Sequence, residues 1–419
     1  MTTTTTTQQI AFKPDIHFDF SQEELADLST EEMLVNMGPQ HPATHGVLRI
    51  VLRTDGEMIL EATPYIGYLH RCAEKIGENL QTFQYVPKTD RMDYCAAMNN
   101  NHAWSIAVEK LAGIETPERG IYIRMIVSEL NRIASHLIGF GTYGVDMGAF
   151  TPFLYAMRER EYILDILEMI CGARLTYSFI YPGGPWYPNR PADDVFPPEV
   201  AARCREFLDY FDPKIDEYNA LLSFNHIFLR RTAGVGVITA EQAIAYGVTG
   251  PNLRGSGVRW DLRKCRPYDY YSRMDFEIPA GADGGESLER FGLKGRVPPE
   301  VRVGDCWNRY FMRMLEMKQS VRIIRQCLDQ MPAEGPTRVK GAKNVKLPPT
   351  SVYFEGENPR GQLGFYIQGD GSTIPYRVKA RGPSFCNLCI LGEVCRNVML
   401  ADVPAIVGSI DVVMGEVDR

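Results

Sequence analysis

The stretch GPQHPATHG, residues 38–46, sets His41 and His45, two of the chain's seven histidines, among prolines and glycines. Proline fixes φ and lacks an N–H, and glycine admits positive φ, so this stretch predicts a tight, defined loop able to aim an imidazole. Two readings are open: a ring points into a cavity as proton donor or ligand, or both rings cap nearby backbone. Tyr94, in TDRMDYCAAMNNNH, is a second candidate, because a phenol can donate a proton to a carbonyl and stays neutral at physiological pH; its other reading is core. Asp146, in TYGVDMGAFT, is an acid in the connection between two predicted helices, facing either solvent or a site. FCNLCILGEVC offers Cys386, Cys389 and Cys395, and a C-x2-C pair is half of a common zinc or iron–sulfur site. The ten cysteines contain no second such pair, so no metal is expected and these thiols are read as small apolar core residues.

These side chains need a scaffold. GVLRIVLRTDGEMILEAT alternates apolar and polar residues on both sides of Asp55-Gly56, a hairpin signal. Residues 21–36 are acidic and weakly periodic, which suggests a short helix or arm leading into the histidine loop. From Tyr65 the period becomes helical, with Pro87 expected to separate two helices. PERGIYIRMIVSELNRIASHLIGFG places Ile123, Ile126, Val127, Leu130, Ile133, Ala134 and Leu137 on one helical face. Pro152 opens the next helix, where its missing N–H does no harm. Another helix follows the proline-rich break at 182–198, and a long one carries the stripe Trp307, Tyr310, Phe311, Met314, Met317, Val321, Ile324 and Leu328. SVYFEGEN, GQLGFYIQGDG and PYRVKAR predict short strands, and PSFCNLCILGEVCRNVML a helix. The predicted class is α+β: a small N-terminal sheet, a central long-helix bundle, and C-terminal short strands and helix. The expected units are a disordered and acidic arm (1–32), an N-terminal α+β domain (33–87), a helical bundle (88–330) wrapped by irregular residues 230–300, and a C-terminal α+β region (331–419).

At 419 residues the chain can bury a large core, and its formal charge of −7 argues against a nucleic-acid partner. The basic run RGSGVRWDLRKCR at 254–266 then needs another explanation. No run of eighteen apolar residues predicts a membrane span. MTTTTTTQQ has the character of neither a signal peptide nor a transit sequence, and scattered cysteines without a secretory signal point to a reducing compartment.

Taken together, MGPQHPATHGVLR, GYLHRCAEKIGE, DRMDY, ELNRIASHL, GTYGVDMGAFTPFLYAMRERE, RTAGVGVI, LRGSGVRWDLRK and GEVDR resemble the D subunit of proton-pumping NADH-quinone oxidoreductase, respiratory complex I, from about residue 33 onward. That family is similar to the large subunit of nickel–iron hydrogenases, which implies a hydrogenase-like fold. The hydrogenase metal-binding segments correspond here to RMDYCA and DVVMGE, with Asp93, Ala96, Val413 and Glu416 at the ligand positions, so no four-thiolate cage is expected. The resemblance implies instead a site for a quinone head group, of ubiquinone or menaquinone. In it His45 and Tyr94 match the residues that hydrogen-bond the quinone carbonyl, with His41 beside them. Asp146 matches the acid that pairs with the histidine and favours its proton-donating form. Arg71 matches an arginine that lies against the 4Fe-4S cluster of the complex's B subunit.

By the same resemblance the chain binds no cofactor of its own, the flavin and the cluster belonging to partner subunits. It would join subunits B, C and I of the peripheral arm and meet membrane subunits H and A, on the cytoplasmic side of a bacterial inner membrane. The basic run becomes an internal or subunit-interface surface. Thr176 and Tyr181 depart from the histidine and arginine that many family members carry there. A nickel hydrogenase and a non-catalytic assembly scaffold are the competing classes.

Overall fold

The computed structural model describes residues 32–187, 195–289, 293 and 295–419. The threonine run and the acidic stretch up to residue 31 lie outside the described residues. The fold is α+β. Strands β1 (Glu32–Met37), β2 (Arg49–Asp55) and β3 (Met58–Tyr65) form an antiparallel sheet in that order. The hairpin expected around Asp55-Gly56 is there, with Gly56 at φ +58°, where glycine turns without a Cβ penalty. The acidic stretch is corrected at its end, because Glu32–Met37 is a strand rather than a helix: Met37 pairs with Ile50 and is buried.

Helices α1 (Thr82–Thr89), α2 (Ala97–Ala112), α3 (Glu118–Asp146), α4 (Thr151–Cys171), α5 (Pro198–Tyr218) and α6 (Cys306–Gln330) build the centre. Pro87 does not separate helices; it lies inside α1, which runs on for two residues, and Arg91 Nη1 donates to the Pro87 carbonyl at 2.7 Å. A proline this close to a helix end forfeits one bond and displaces no long segment. The predicted stripes of α3 and α6 are buried throughout. Each large apolar side chain in them contributes about 1.5–3 kcal/mol of transfer free energy.

The basic run is divided: Arg259, Lys264 and Arg266 are exposed, while two arginines are internal. Arg254 and Arg263 are both buried: Arg254 pairs with Glu316 of α6 and, at 2.7 Å, with Glu357, while Arg263 pairs with Asp261 at 2.7 Å and Glu129 of α3 at 3.2 Å. Short helices and loops at 226–289 are thereby tied across the bundle. Strands β4 (Ser351–Asn358), β5 (Gly361–Gln368) and β6 (Arg377–Arg381) form a second antiparallel sheet, and Trp104 of α2 meets Phe365 of β5 edge to face at 5.4 Å. The long C-terminal helix is corrected to short pieces, including α7 (Pro383–Leu388), followed by α8 (Val403–Ile410) and α9 (Met414–Asp418). No helix among the described residues is long and apolar enough to cross a membrane.

Candidate functional site

His41 and His45 bracket a 3₁₀ turn, Pro42–Thr44, and their surroundings differ. The exposed His41 uses Nδ1 to accept from the Ala43 amide at 3.2 Å, so it caps the turn. His45 closes the turn in the left-handed region at φ +50°, a conformation that a non-glycine residue holds only when its surroundings fix it. Its Nε2 lies 3.5 Å from Asp146 Oδ2, with both side chains largely buried.

Asp146 is the last residue of α3 rather than part of a loop. A carboxylate there meets the negative end of the helix dipole, and the nearest cationic side chain that can face it is the imidazole of His45. Helix α8 packs beside both residues; the Tyr143 hydroxyl donates to the Ala405 carbonyl at 3.1 Å. A Cβ on Gly408 would lie 2.6 Å from the Tyr143 ring and 3.1 Å from Asp146 Oδ2, so the close approach of helix to acid requires glycine there.

Tyr94 sits half-buried in the turn between α1 and α2, and burial raises its hydroxyl pKa above the usual phenol value, keeping it protonated. Behind it lies a buried ionic cluster. Arg360, in the β4–β5 turn, donates to Asp93 at 3.1–3.2 Å, to Ser135 at 2.7 Å and to Asp411 at 3.3 Å. Arg313 of α6 pairs with Asp411 at 3.2 Å. Burial works against ionisation of Asp411, but Arg360 and Arg313 outweigh it and hold the carboxyl at about 2. The cluster joins the two candidates electrostatically, since His45 acts on Asp411 and Arg360 acts on Tyr94.

Sequence reasoning missed Arg360, Arg313 and Asp411. Asp411 had a signal, an acid inside the apolar run AIVGSIDVVM; Arg360, in the turn sequence ENPRG, reads as an exposed hairpin residue. Arg71 is exposed, with its Nη2 donating to the Arg91 carbonyl and its amide donating to the Arg419 carbonyl at 3.3 Å.

The residues at the hydrogenase-like positions do not fit a nickel–iron centre. Asp93 is committed to Arg360, Ala96 and Val413 are buried apolar groups, and Glu416 accepts from Ser384. The C-x2-C thiols are corrected in part: Cys395 is core, Cys386 is half-buried and Cys389 is exposed, its Sγ donating to the Phe385 carbonyl at 3.3 Å. All ten cysteines are free thiols. The departures are also visible: Thr176 takes φ +53°, and the buried Tyr181 helps line a cleft of about 440 Å³ with Phe83, Trp186 and Lys343, away from the His45–Asp146 pair.

Residues 146–346 and 339–419 match the family model described as respiratory-chain NADH dehydrogenase, 49 Kd subunit. The chain is 51% identical over 396 residues to the NADH-quinone oxidoreductase D subunit of Chlorobium luteolum, covering 94% of this chain and 95% of that one. The D subunit of Chlorobaculum tepidum is 50% identical over the same length, covering 94% of each chain. The chain belongs to the family of NADH-quinone oxidoreductase D subunits. As a member of that family it is a subunit of an oxidoreductase complex and works among partner subunits. The resemblance seen in the separated motifs is thereby established over nearly the whole chain, and the Asp93–Arg360–Asp411 cluster is a feature of a D-subunit protein.

Proposed function

We propose that this chain provides the quinone-reducing site of the complex, at the junction of its peripheral arm with a bacterial inner membrane on the cytoplasmic side. The observation that carries the reading is the approach of Asp146 to His45: a conformationally constrained imidazole, mostly screened from solvent, is held 3.5 Å from a carboxylate oxygen. Quinone reduction consumes two electrons and two protons. His45 Nε2 supplies one proton and the Tyr94 hydroxyl the other, each donating to a carbonyl oxygen of the head group. No group in this chain supplies the electrons; they arrive from the 4Fe-4S cluster of the B subunit, with Arg71 on the facing surface and the flavin farther upstream. His41 acts one step removed, by capping the turn that aims His45. Subunits B, C and I of the arm and membrane subunits H and A are the proposed neighbours, and the complex as a whole couples the reaction to proton translocation.

The test is His45→Ala in the intact complex. General acid catalysis by a positioned group is worth about 10²- to 10⁴-fold, so quinone reduction should fall by that order while NADH oxidation by an artificial acceptor at the flavin end stays unchanged. Undiminished quinone turnover would remove His45 from the site and overturn the reading.

A further inference from the structure

Glu416 is fully buried and has no cation of its own. Its Oε2 accepts from the Ser384 amide at 3.0 Å and from the Ser384 hydroxyl, and its Oε1 lies 3.5 Å from Asn358 Nδ2. The same amide nitrogen reaches Asp93 at 3.3 Å and Asn100 at 3.2 Å. The donors on Glu416 are therefore neutral. The charged groups that act on it are Asp93, in the turn before α2, and Arg360, in the β4–β5 turn; these two are joined in turn to Tyr94, Cys95 and Asp411. Arg71 approaches Gly415 from the other side, with its guanidinium committed to the Arg91 carbonyl. Asp418, on the same short helix, is committed to the amides of Gly67 and Leu69.

Within the cluster, Arg360 and Arg313 are paired directly with Asp93 and Asp411, and burial pushes the Asp93 carboxyl up as well, against the pull of Arg360. Ionising Glu416 would place one further negative charge in a buried space with no cation left to meet it, a state that burial penalises heavily. We propose that Glu416 is a positioning residue of the quinone site that works as a neutral carboxylic acid, its proton keeping the Asp93–Arg360–Asp411 cluster balanced behind Tyr94. When that proton leaves to solvent, the uncompensated charge opposes release of the Tyr94 proton and the site loses activity. Burial, reinforced by Asp93 and opposed by Ser384, pushes the Glu416 carboxyl up to about 7, which sets this loss near neutrality. The proposal rests on the reading of Tyr94 as a proton donor to quinone.

The experiment uses the intact complex and two readouts. Infrared difference spectra between acid and alkaline pH, taken without added quinone, should contain a protonated-carboxyl band that titrates around neutrality and is absent in Glu416→Gln. Glutamine mimics the neutral acid, so this variant should keep quinone turnover at acid pH within about twofold of the parent and lose the alkaline decline, which for one ionisation approaches tenfold per pH unit. Ser384→Ala removes a donor to the ionised form, so both the band and the alkaline limb should move to higher pH. An unchanged infrared spectrum in Glu416→Gln overturns the proposal. So does a lost band with an unaltered pH–rate profile, because a merely structural residue would give that result. If Glu416→Gln does not assemble, Ser384→Ala decides, and no upward shift in either readout refutes it. Failure of the quinone reading itself has a different signature: full turnover in Tyr94→Phe with the infrared band intact.

Discussion

Oδ2 of Asp146 stands 3.5 Å from Nε2 of His45, and neither atom hydrogen-bonds another described residue. Each is thus poised for the other or for a third molecule. The two residues should behave as one unit: Asp146→Asn alone should lower quinone reduction by about 10- to 100-fold, and adding it to His45→Ala should cost nothing further. Steady-state rates for the two single variants and the double variant measure the coupling. Multiplying losses would mean that the acid acts elsewhere.

Tyr94→Phe keeps the ring and removes only the hydroxyl. KM for quinone should rise about fivefold, the worth of one neutral hydrogen bond, and kcat should fall by about 10²-fold or more as a proton donor is lost. Kinetics with short- and long-tailed quinones check this, and a change in KM alone would make Tyr94 a binding residue only.

Arg254 links the wrapping segment to α6 and β4 through Glu316 and Glu357, with no exposure to solvent. Arg254→Ala leaves two buried carboxylates without their shared cation and should destabilise the protein by about 3–5 kcal/mol. Arg254→Lys should recover little, because one ammonium cannot reproduce the fork that reaches both acids. The amount of this chain retained in purified complex and its Tm report the loss.

Acid should unfold this protein between about pH 4 and pH 2. Burial works against ionisation of Asp269, but Arg124 and His102 outweigh it and hold the carboxyl at about 2; Glu129, paired with Arg132 and Arg263, is also at about 2. For a depressed acid the stabilisation is fully present above the unfolded value and is lost as pH falls through the folded one, on the order of 2–3 kcal/mol per group. Glu416 at about 7 and Asp90 at about 6, both raised chiefly by burial, have the opposite sign, and their contribution declines as pH rises toward neutrality. Asp269→Asn should lower Tm at pH 7 and flatten its dependence on pH between 4 and 2, as followed by tryptophan fluorescence. A parent-like acid transition would remove Asp269 from that role.

The parts of the fold that were legible in the sequence are those with a local period. The α3 and α6 stripes, the hairpin at Gly56 and the strands at 351–381 each carry their pattern within a few turns or residues. Asp146 was found, but its place on a helix was not, because two glycines and a short connection hide a last turn held by long-range packing. Pro87 misled for a related reason: a proline's cost depends on how much helix follows it. His45 and Tyr94 came from their family motifs. Arg360, Arg313 and Asp411 come together from a hairpin turn, a helix and a segment after a helix, and no spacing along the chain encodes that meeting. The Glu129–Arg263 and Arg254–Glu316 pairs were hidden in the same way, inside a basic run whose composition alone suggests a surface.

The buried Arg254–Glu357 bond spans 103 residues of sequence. A ribosome adding about 5–20 residues per second needs about 5–20 s to cover that distance, and during this interval the arginine has emerged while its later partner has not been made. Its earlier partner Glu316 is made within the same interval, so the wrapping segment can begin to dock on the bundle but is fastened on one side only until β4 appears. A nascent chain arrested just short of Glu357 leaves the Arg254 guanidinium with one of its two acids, and it is in this window that chaperone contact has most to protect.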